Sequence, residues 1–230
     1  MRKVLLTACF SVLICASANA SVIGVRNAGY YNSTGTAGPN SPVYLTGICC
    51  AGSLDHRSWL EFNLTGVTGT ITGATLHLFN PSSGFSSSDG SETFAIFDVT
   101  SSRIPLITGA GGLSAFNDLG GGVLLGSAVV TAAANGSFVD VTLNASGISY
   151  MTSKLGGLAY LGGAITSLSG TADQYVFVNS HLIQYPGSAL TLDGATGGGP
   201  GGGGAVPIPA VAWLFGGALS ALGLVRRKRE

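Results

Sequence analysis

Arg57-Ser58-Trp59-Leu60-Glu61-Phe62-Asn63-Leu64 alternates in polarity with a period of two. Successive side chains of a β-strand point to opposite faces, so Leu60, Phe62 and Leu64 are expected inside and Trp59, Glu61 and Asn63 outside. Thr75-Leu76-His77-Leu78-Phe79 repeats the pattern, with Leu76 and Leu78 inward and His77 outward. Working outward, short apolar runs bounded by Gly, Ser, Asn or Pro recur at 43–47, 93–99, 123–130, 137–143, 158–165, 174–180 and 188–193. Nine strands at this spacing predict an all-β fold, an antiparallel β-sandwich of jelly-roll-like form. Helix signals are confined to Ala145–Leu155 and Ser114–Leu119, each long enough only to cap an open end. No internal repeat is evident.

The composition agrees with a turn-rich, folded chain. Of 230 residues 46% are hydrophobic and 9% charged, against a usual charged share of about 25%. That excludes a disordered charged tail protein. The 37 glycines exceed twice the usual share of about 7% and follow no Gly-X-Y period. Formal charge is zero over the whole chain, but the basic residues crowd the ends. Between residues 21 and 205 only Arg26, Arg57, Arg103 and Lys154 stand against nine acidic residues, a formal charge of −5. A nucleic-acid binder needs the opposite sign, so nucleic acid is not expected as a partner.

Both ends read as addresses. Met1-Arg2-Lys3, an apolar run from Val4 to Ala16 and the exit Ala18-Asn19-Ala20 form a secretory signal peptide over 1–20. Ala18 and Ala20 fill the two positions signal peptidase needs small, which places cleavage before Ser21. Leu6-Thr7-Ala8-Cys9 resembles a lipobox, but the apolar stretch before it is too short for translocation. After the expected ectodomain, 21–196, comes a linker over 197–205 whose Gly197–Gly204 is glycine broken once by Pro200. Such a segment has almost no side chains to pack and behaves as a spacer.

The last segment, 206–230, holds Val206-Pro207-Ile208-Pro209, an apolar stretch over 210–225 and the cluster Arg226-Arg227-Lys228-Arg229. Pro207 to Val225 is 19 residues. As a helix that is about 28 Å, close to a bilayer core of about 30 Å, so the stretch is expected to span the membrane once. The basic cluster is then the cytoplasmic stop.

Together with Trp213-Leu214-Phe215-Gly216 and Leu222-Gly223-Leu224, this arrangement resembles the PEP-CTERM sorting signal, with Ile208 where the eponymous glutamate would stand. The resemblance covers about 25 residues and implies recognition by an exosortase, removal of the helix, and delivery to the cell envelope or exopolysaccharide matrix of a Gram-negative bacterium. A glycosylphosphatidylinositol signal also joins a spacer to an apolar tail, but normally lacks the terminal basic cluster. The strand order is in turn similar to the carbohydrate-binding-module-like sandwiches named for a DNRLRE motif. The similar segments are Arg57–Leu64, Ile71–Leu78, Phe138–Leu143 and Ser188–Leu192. That resemblance implies architecture and carries no catalytic residues.

Chemistry-bearing patterns are sparse. His56, His77 and His181 show no helical metal spacing, and His77 is expected on a surface. There is no Gly-x-Ser-x-Gly elbow. Asp89 and Glu92 lie in a Ser/Gly-rich loop without EF-hand spacing and are expected to be solvated turn residues rather than calcium ligands. The glycine runs at 109–112 and 119–122 lack the Lys-Ser/Thr of a phosphate loop and read as turns. No catalytic residue, metal or cofactor is expected. Cys49 and Cys50 are the cysteines left after signal removal; a vicinal disulfide, a bridge to a second chain and a protected reduced pair all remain open. The expected protein is therefore exported and non-enzymatic. Signal peptidase, exosortase and, transiently, the inner membrane are its partners, with exopolysaccharide a further candidate. A carbohydrate-binding module is the alternative, with Tyr30, Tyr31 and Tyr44 as stacking rings; a secreted hydrolase ranks third.

Overall fold

A computed structural model of the chain describes residues 19–38, 43–50, 53–170, 173–178 and 187–197. They form strands β1 (Ala20–Asn32), β2 (Ala37–Gly38), β3 (Thr46–Cys49), β4 (Leu54–Asn63), β5 (Thr68–Asn80) and β6 (Ser91–Asp98). Helices α1 (Arg103–Thr108) and α2 (Gly112–Asp118) follow, then β7 (Leu124–Thr131), β8 (Ser137–Thr142), α3 (Ala145–Ser153), β9 (Leu158–Ile165), β10 (Gln174–Val176) and β11 (Ala189–Thr196). The protein is mostly antiparallel β-sheet, so the all-β expectation holds, with eleven strands among the described residues where nine were expected.

The hydrogen-bonded order is β7-β6-β9-β4-β1-β11-β5-β8. The first half of β1, Ala20–Gly24, pairs with β11, and its second half, from Val25, pairs with β4, after a register shift between Val25 and Asn27. One strand thus serves a smaller sheet (β1, β11, β5, β8) and a larger one (β7, β6, β9, β4, β1). Outside this order, β2 pairs β1, and β3 lies between β4 and β10. At the far edge Gly126 bridges Leu143, and the Asn144 N–H donates to the Leu125 carbonyl at 2.7 Å, which stitches β7 to the end of β8.

The main core collects inward residues of both sheets. Leu60, Phe62, Phe94, Ile96 and Leu161 of the larger sheet share one buried cluster with Leu76, Leu78, Val139, Val141, Leu190 and Leu192 of the smaller. Helix α3 packs on this assembly beside β5 and β7, with the Asn144 side chain accepting from the Gly147 N–H at 2.9 Å as its N-cap.

The outward face of β4 departs from expectation. Trp59 and Glu61, expected outside, are both fully buried. The connection from β6 to β7 folds α1 and α2 over this face, and Tyr31, Trp59, Val99, Leu106, Ala115, Phe116 and Leu119 form a second buried cluster there. Polar side chains anchor the cover. The Tyr31 hydroxyl donates to Pro105 O at 2.6 Å and accepts from the Gly111 N–H at 3.1 Å. Arg57 donates to Phe116 O at 3.1 Å and lies 4.2 Å from the centre of the Phe116 ring. Arg103 Nε donates to Glu61 Oε2 at 2.9 Å, and Arg26 reaches Glu61 Oε1 at 3.2 Å. Two cations therefore compensate a carboxylate withdrawn from water. The Tyr160 phenol beside it is pushed up to about 12, first by burial and then by the Glu61 charge. Gly29 sits directly across from Trp59, where a Cβ would come within 2.7 Å of the indole nitrogen. A bare backbone is what gives the indole room against β1.

Candidate functional site

The outer face of the smaller sheet gathers polar and aromatic side chains that point away from the core. His77 on β5 is the direct cross-strand partner of Asp140 on β8, and Phe79 is that of Phe138. Asp140 Oδ1 stands 2.7 Å from His77 Nδ1, and Thr191 Oγ1 stands 3.1 Å from His77 Nε2. A carboxylate only accepts, so Nδ1–H donates to Asp140; in the neutral imidazole Nε2 then accepts from the Thr191 hydroxyl. Phe138 is 47% exposed and meets Phe79 edge to face, with ring centres 5.4 Å apart. His77, Phe138, Asp140 and Gly187 line a cleft of about 340 Å³.

Gly187 has a φ of +126°, and a Cβ built there would fall 3.0 Å from Phe138 Cζ. That conformation and that contact together require glycine, and its bare backbone keeps a side chain from covering the ring.

The order Asp140, His77, Thr191 is that of an acyl-transfer relay, but the setting differs. Thr191 lies within β11, paired to Val22 on one side and Thr75 on the other. A central strand spends its N–H groups on its neighbours, whereas an oxyanion hole needs N–H donors aimed at the reacting oxygen. The line therefore fixes the imidazole between two partners and offers carboxylate, imidazole and hydroxyl to a polar ligand.

The other predicted residues are dispersed. Ala20 is the first residue of β1, opposite Asp193, and the buried Ser21 donates its hydroxyl to Gly197 O at 2.6 Å. Ala18, Val206, Pro207, Ile208, Pro209 and the cluster Arg226, Arg227, Lys228 and Arg229 lie outside the described residues, as does His181. Among the described residues no helix is long and apolar enough to cross a membrane; the stretch 210–225 is not among them.

Cys49 and Cys50 are joined as a vicinal disulfide at the end of β3, with Cα atoms 3.7 Å apart. Cys49 is buried, 4.0 Å from His56 Nδ1, while Cys50 is exposed at a φ of +67°. Asp89 is solvent-exposed as expected, but Glu92 is not a solvated turn residue. Its buried carboxylate accepts from Ser87 at 2.6 Å, from Gln174 Nε2 at 3.0 Å and from Ser167. Gln174 Nε2 also donates to Asp89 at 2.7 Å, so the pair ties the loop to β10.

Of the tyrosines considered as stacking rings, Tyr31 and Tyr44 are buried, the latter bonding Phe79 O at 2.9 Å and Ser188 Oγ at 2.8 Å. Tyr30 is half-buried, edge-on to His56. The aromatic that does reach the cleft, Phe138, was legible only as an alternation partner of Asp140 in Phe138-Val139-Asp140-Val141. No family model matches the chain, and no curated protein aligns with it.

Proposed function

We propose that this chain is an exported protein of a Gram-negative envelope or exopolysaccharide matrix, sorted through its C-terminal signal and non-enzymatic in itself. Its ectodomain is on this reading a jelly-roll-like sandwich. The observation that carries the proposal is the match between the ends of the fold and the two address segments. β1 starts at Ala20 and β11 stops at Thr196, and these ends are neighbours in the ladder, with the Gly194 N–H donating to Asn19 O at 2.7 Å. The residues from which both address segments continue, Asn19 directly before β1 and Thr196 at the end of β11, thus stand at the ends of two paired strands. The vicinal disulfide fits an oxidising compartment.

The register supports an order of events. Ala20 and Ser21 are engaged by β11, the last strand of the domain to be made. On this reading signal peptidase cuts while β1 is still unpaired, and the domain closes afterwards. The spacer then holds the folded domain away from the membrane while Pro207, Ile208 and Pro209 are offered to the exosortase and Arg226–Arg229 hold the tail in the cytoplasm.

Fractionating producing cells with an antibody against the ectodomain tests this. The intact chain should pass from the inner membrane to the envelope or medium, and deletion of Arg226–Arg229 should misorient the helix and block that passage. Identical fractionation of the two forms would overturn the proposal.

A further inference from the structure

We propose that the Cys49–Cys50 bridge is a site of reversible covalent attachment: an external thiol is carried on Cys50 as a mixed disulfide, and Cys49 is the thiol that leaves and later closes the ring again. The inference rests on the export reading only for where such a thiol is met; the chemistry of the pair is independent of it.

The bridge adds little to the stability of the fold. A disulfide stabilises chiefly by closing a long loop in the unfolded chain, and neighbours in sequence close almost none. The hairpin that carries it is already fixed by the backbone pairing of β3 with β4, Gly47 to His56, Ile48 to Asp55 and Cys49 to Leu54. Cys50 stands at a φ of +67°, a left-handed conformation that is costly for a residue with a Cβ. Exposed bridges on strained backbone are the ones open to exchange.

The two cysteines are unequal. Cys49 is 1% exposed, whereas Cys50 is open to solvent, so an incoming thiolate meets Cys50. The bond that forms joins the incoming sulfur to Cys50 Sγ. The bond that breaks is the bridge itself, and its electron pair leaves on Cys49 Sγ; the proton of the attacking thiol goes to water. Exchange is faster where the leaving thiolate is stabilised. His56 meets that need from the facing strand, where it lies diagonally across from Cys49 on the same side of the hairpin. Its Nδ1 stands 3.3 Å from Gly47 O and 4.0 Å from Cys49 Sγ. A carbonyl only accepts, so Nδ1 carries the proton, and that N–H adjoins the sulfur on which negative charge develops. Burial and an edge contact with Tyr30, ring centres 5.5 Å apart, hold the imidazole in place. The reverse step uses the same atoms. The Cys49 thiolate attacks Cys50 Sγ and expels the carried thiolate, so the adduct lasts only while external thiol is supplied.

A low-molecular-weight thiol and a cysteine of another copy offer the same nucleophile, and the test separates them. The full chain, purified in mild detergent, is incubated with glutathione or with a copy bearing Cys49→Ser, whose Cys50 is a free thiol. After quenching with N-ethylmaleimide, tandem mass spectrometry of the peptide that holds Cys49 and Cys50 locates the new bond. The expected product has the mixed disulfide on Cys50 and the maleimide on Cys49; a glutathione adduct or a linked pair of copies tells which source is accepted. In urea, with burial and His56 removed, both cysteines should carry the adduct in similar amounts. His56→Leu should slow the exchange about tenfold, and His56→Asn, which returns an N–H near the Nδ1 position, should restore most of the rate, with circular dichroism verifying both folds. A native bridge untouched by either thiol, an adduct on Cys49, an equal preference for Cys50 in the unfolded chain, or an unchanged rate in folded His56→Leu would each overturn the proposal. Because exchange is read on purified protein, a failure here is separate from a failure of sorting.

Discussion

Replacing Trp59 by alanine separates a strand with one buried face from a strand with two. If the outward face of β4 met solvent, losing Trp59 would be mild beside losing Phe62 from the main core. In the structure both side chains are fully buried, Phe62 between the sheets and Trp59 beneath α1 and α2. Among the described residues the indole N–H has no hydrogen-bond partner, so the change removes packing and none of the hydrogen bonds described. Emptying a large aromatic site costs about 3–5 kcal/mol, and that figure is expected for both variants. With a urea slope of about 2 kcal/mol/M for a domain of this size, the midpoint should fall by about 1.5–2.5 M in each. Circular dichroism melts of residues 21–197, with Phe62→Ala and Trp59→Ala in parallel, read this directly. Trp59 is the sole tryptophan in that span, so its emission in the parent should be blue-shifted and should move to the red at the same midpoint. A Trp59→Ala shift under a third of the Phe62→Ala shift would mean that α1 and α2 do not cover the strand.

Other outcomes follow from the same geometry. Burial alone would raise the Asp118 carboxyl, but hydrogen bonds from Thr100 and Ser101 outweigh it and hold the group below its usual value. Its stabilisation is therefore present above about pH 4 and lost as pH falls through the lower native value, so Asp118→Asn should reduce thermal stability at pH 7 and converge with the parent in strong acid. Burial is the leading cause that raises the phenols of Tyr31, Tyr150 and Tyr160, the last to about 12. Alkaline titration followed by ultraviolet absorbance should show these three ionising late, with stability falling as pH rises above about 10. The folded protein should show no free thiol among Cys49 and Cys50 before reduction and two after it, by thiol-reactive dye; a dye-reactive thiol before reduction would contradict the vicinal bridge. Glu92→Ala should unfasten the Ser87 loop from Gln174, seen as earlier proteolysis near residues 86–90.

What the sequence revealed and what it hid divide along a physical line. Leu60, Phe62, Leu64, Leu76 and Leu78 are read correctly because period-two alternation depends only on neighbours along the chain, and β9 coincides with the run at 158–165. Trp59 and Glu61 are misread because what covers them is contributed from residues 99–119, where α1 and α2 are too short to carry a periodic signal. β1 escapes notice because its alternation breaks between Val25 and Asn27, where it passes from one sheet to the other. The cleft residues escape for a further reason. His77 and Asp140 are 63 positions apart and His77 and Thr191 are 114 apart, so strand register alone brings them together.

The claim that both address segments are cleaved is tested most directly by the intact mass and N-terminal sequence of the protein recovered from the envelope or medium of producing cells. Cleavage of both address segments predicts a chain that begins at Ser21 and has lost Trp213 with the apolar tail. A recovered chain that keeps Trp213, or that begins at a lipid-bearing Cys9, would contradict it.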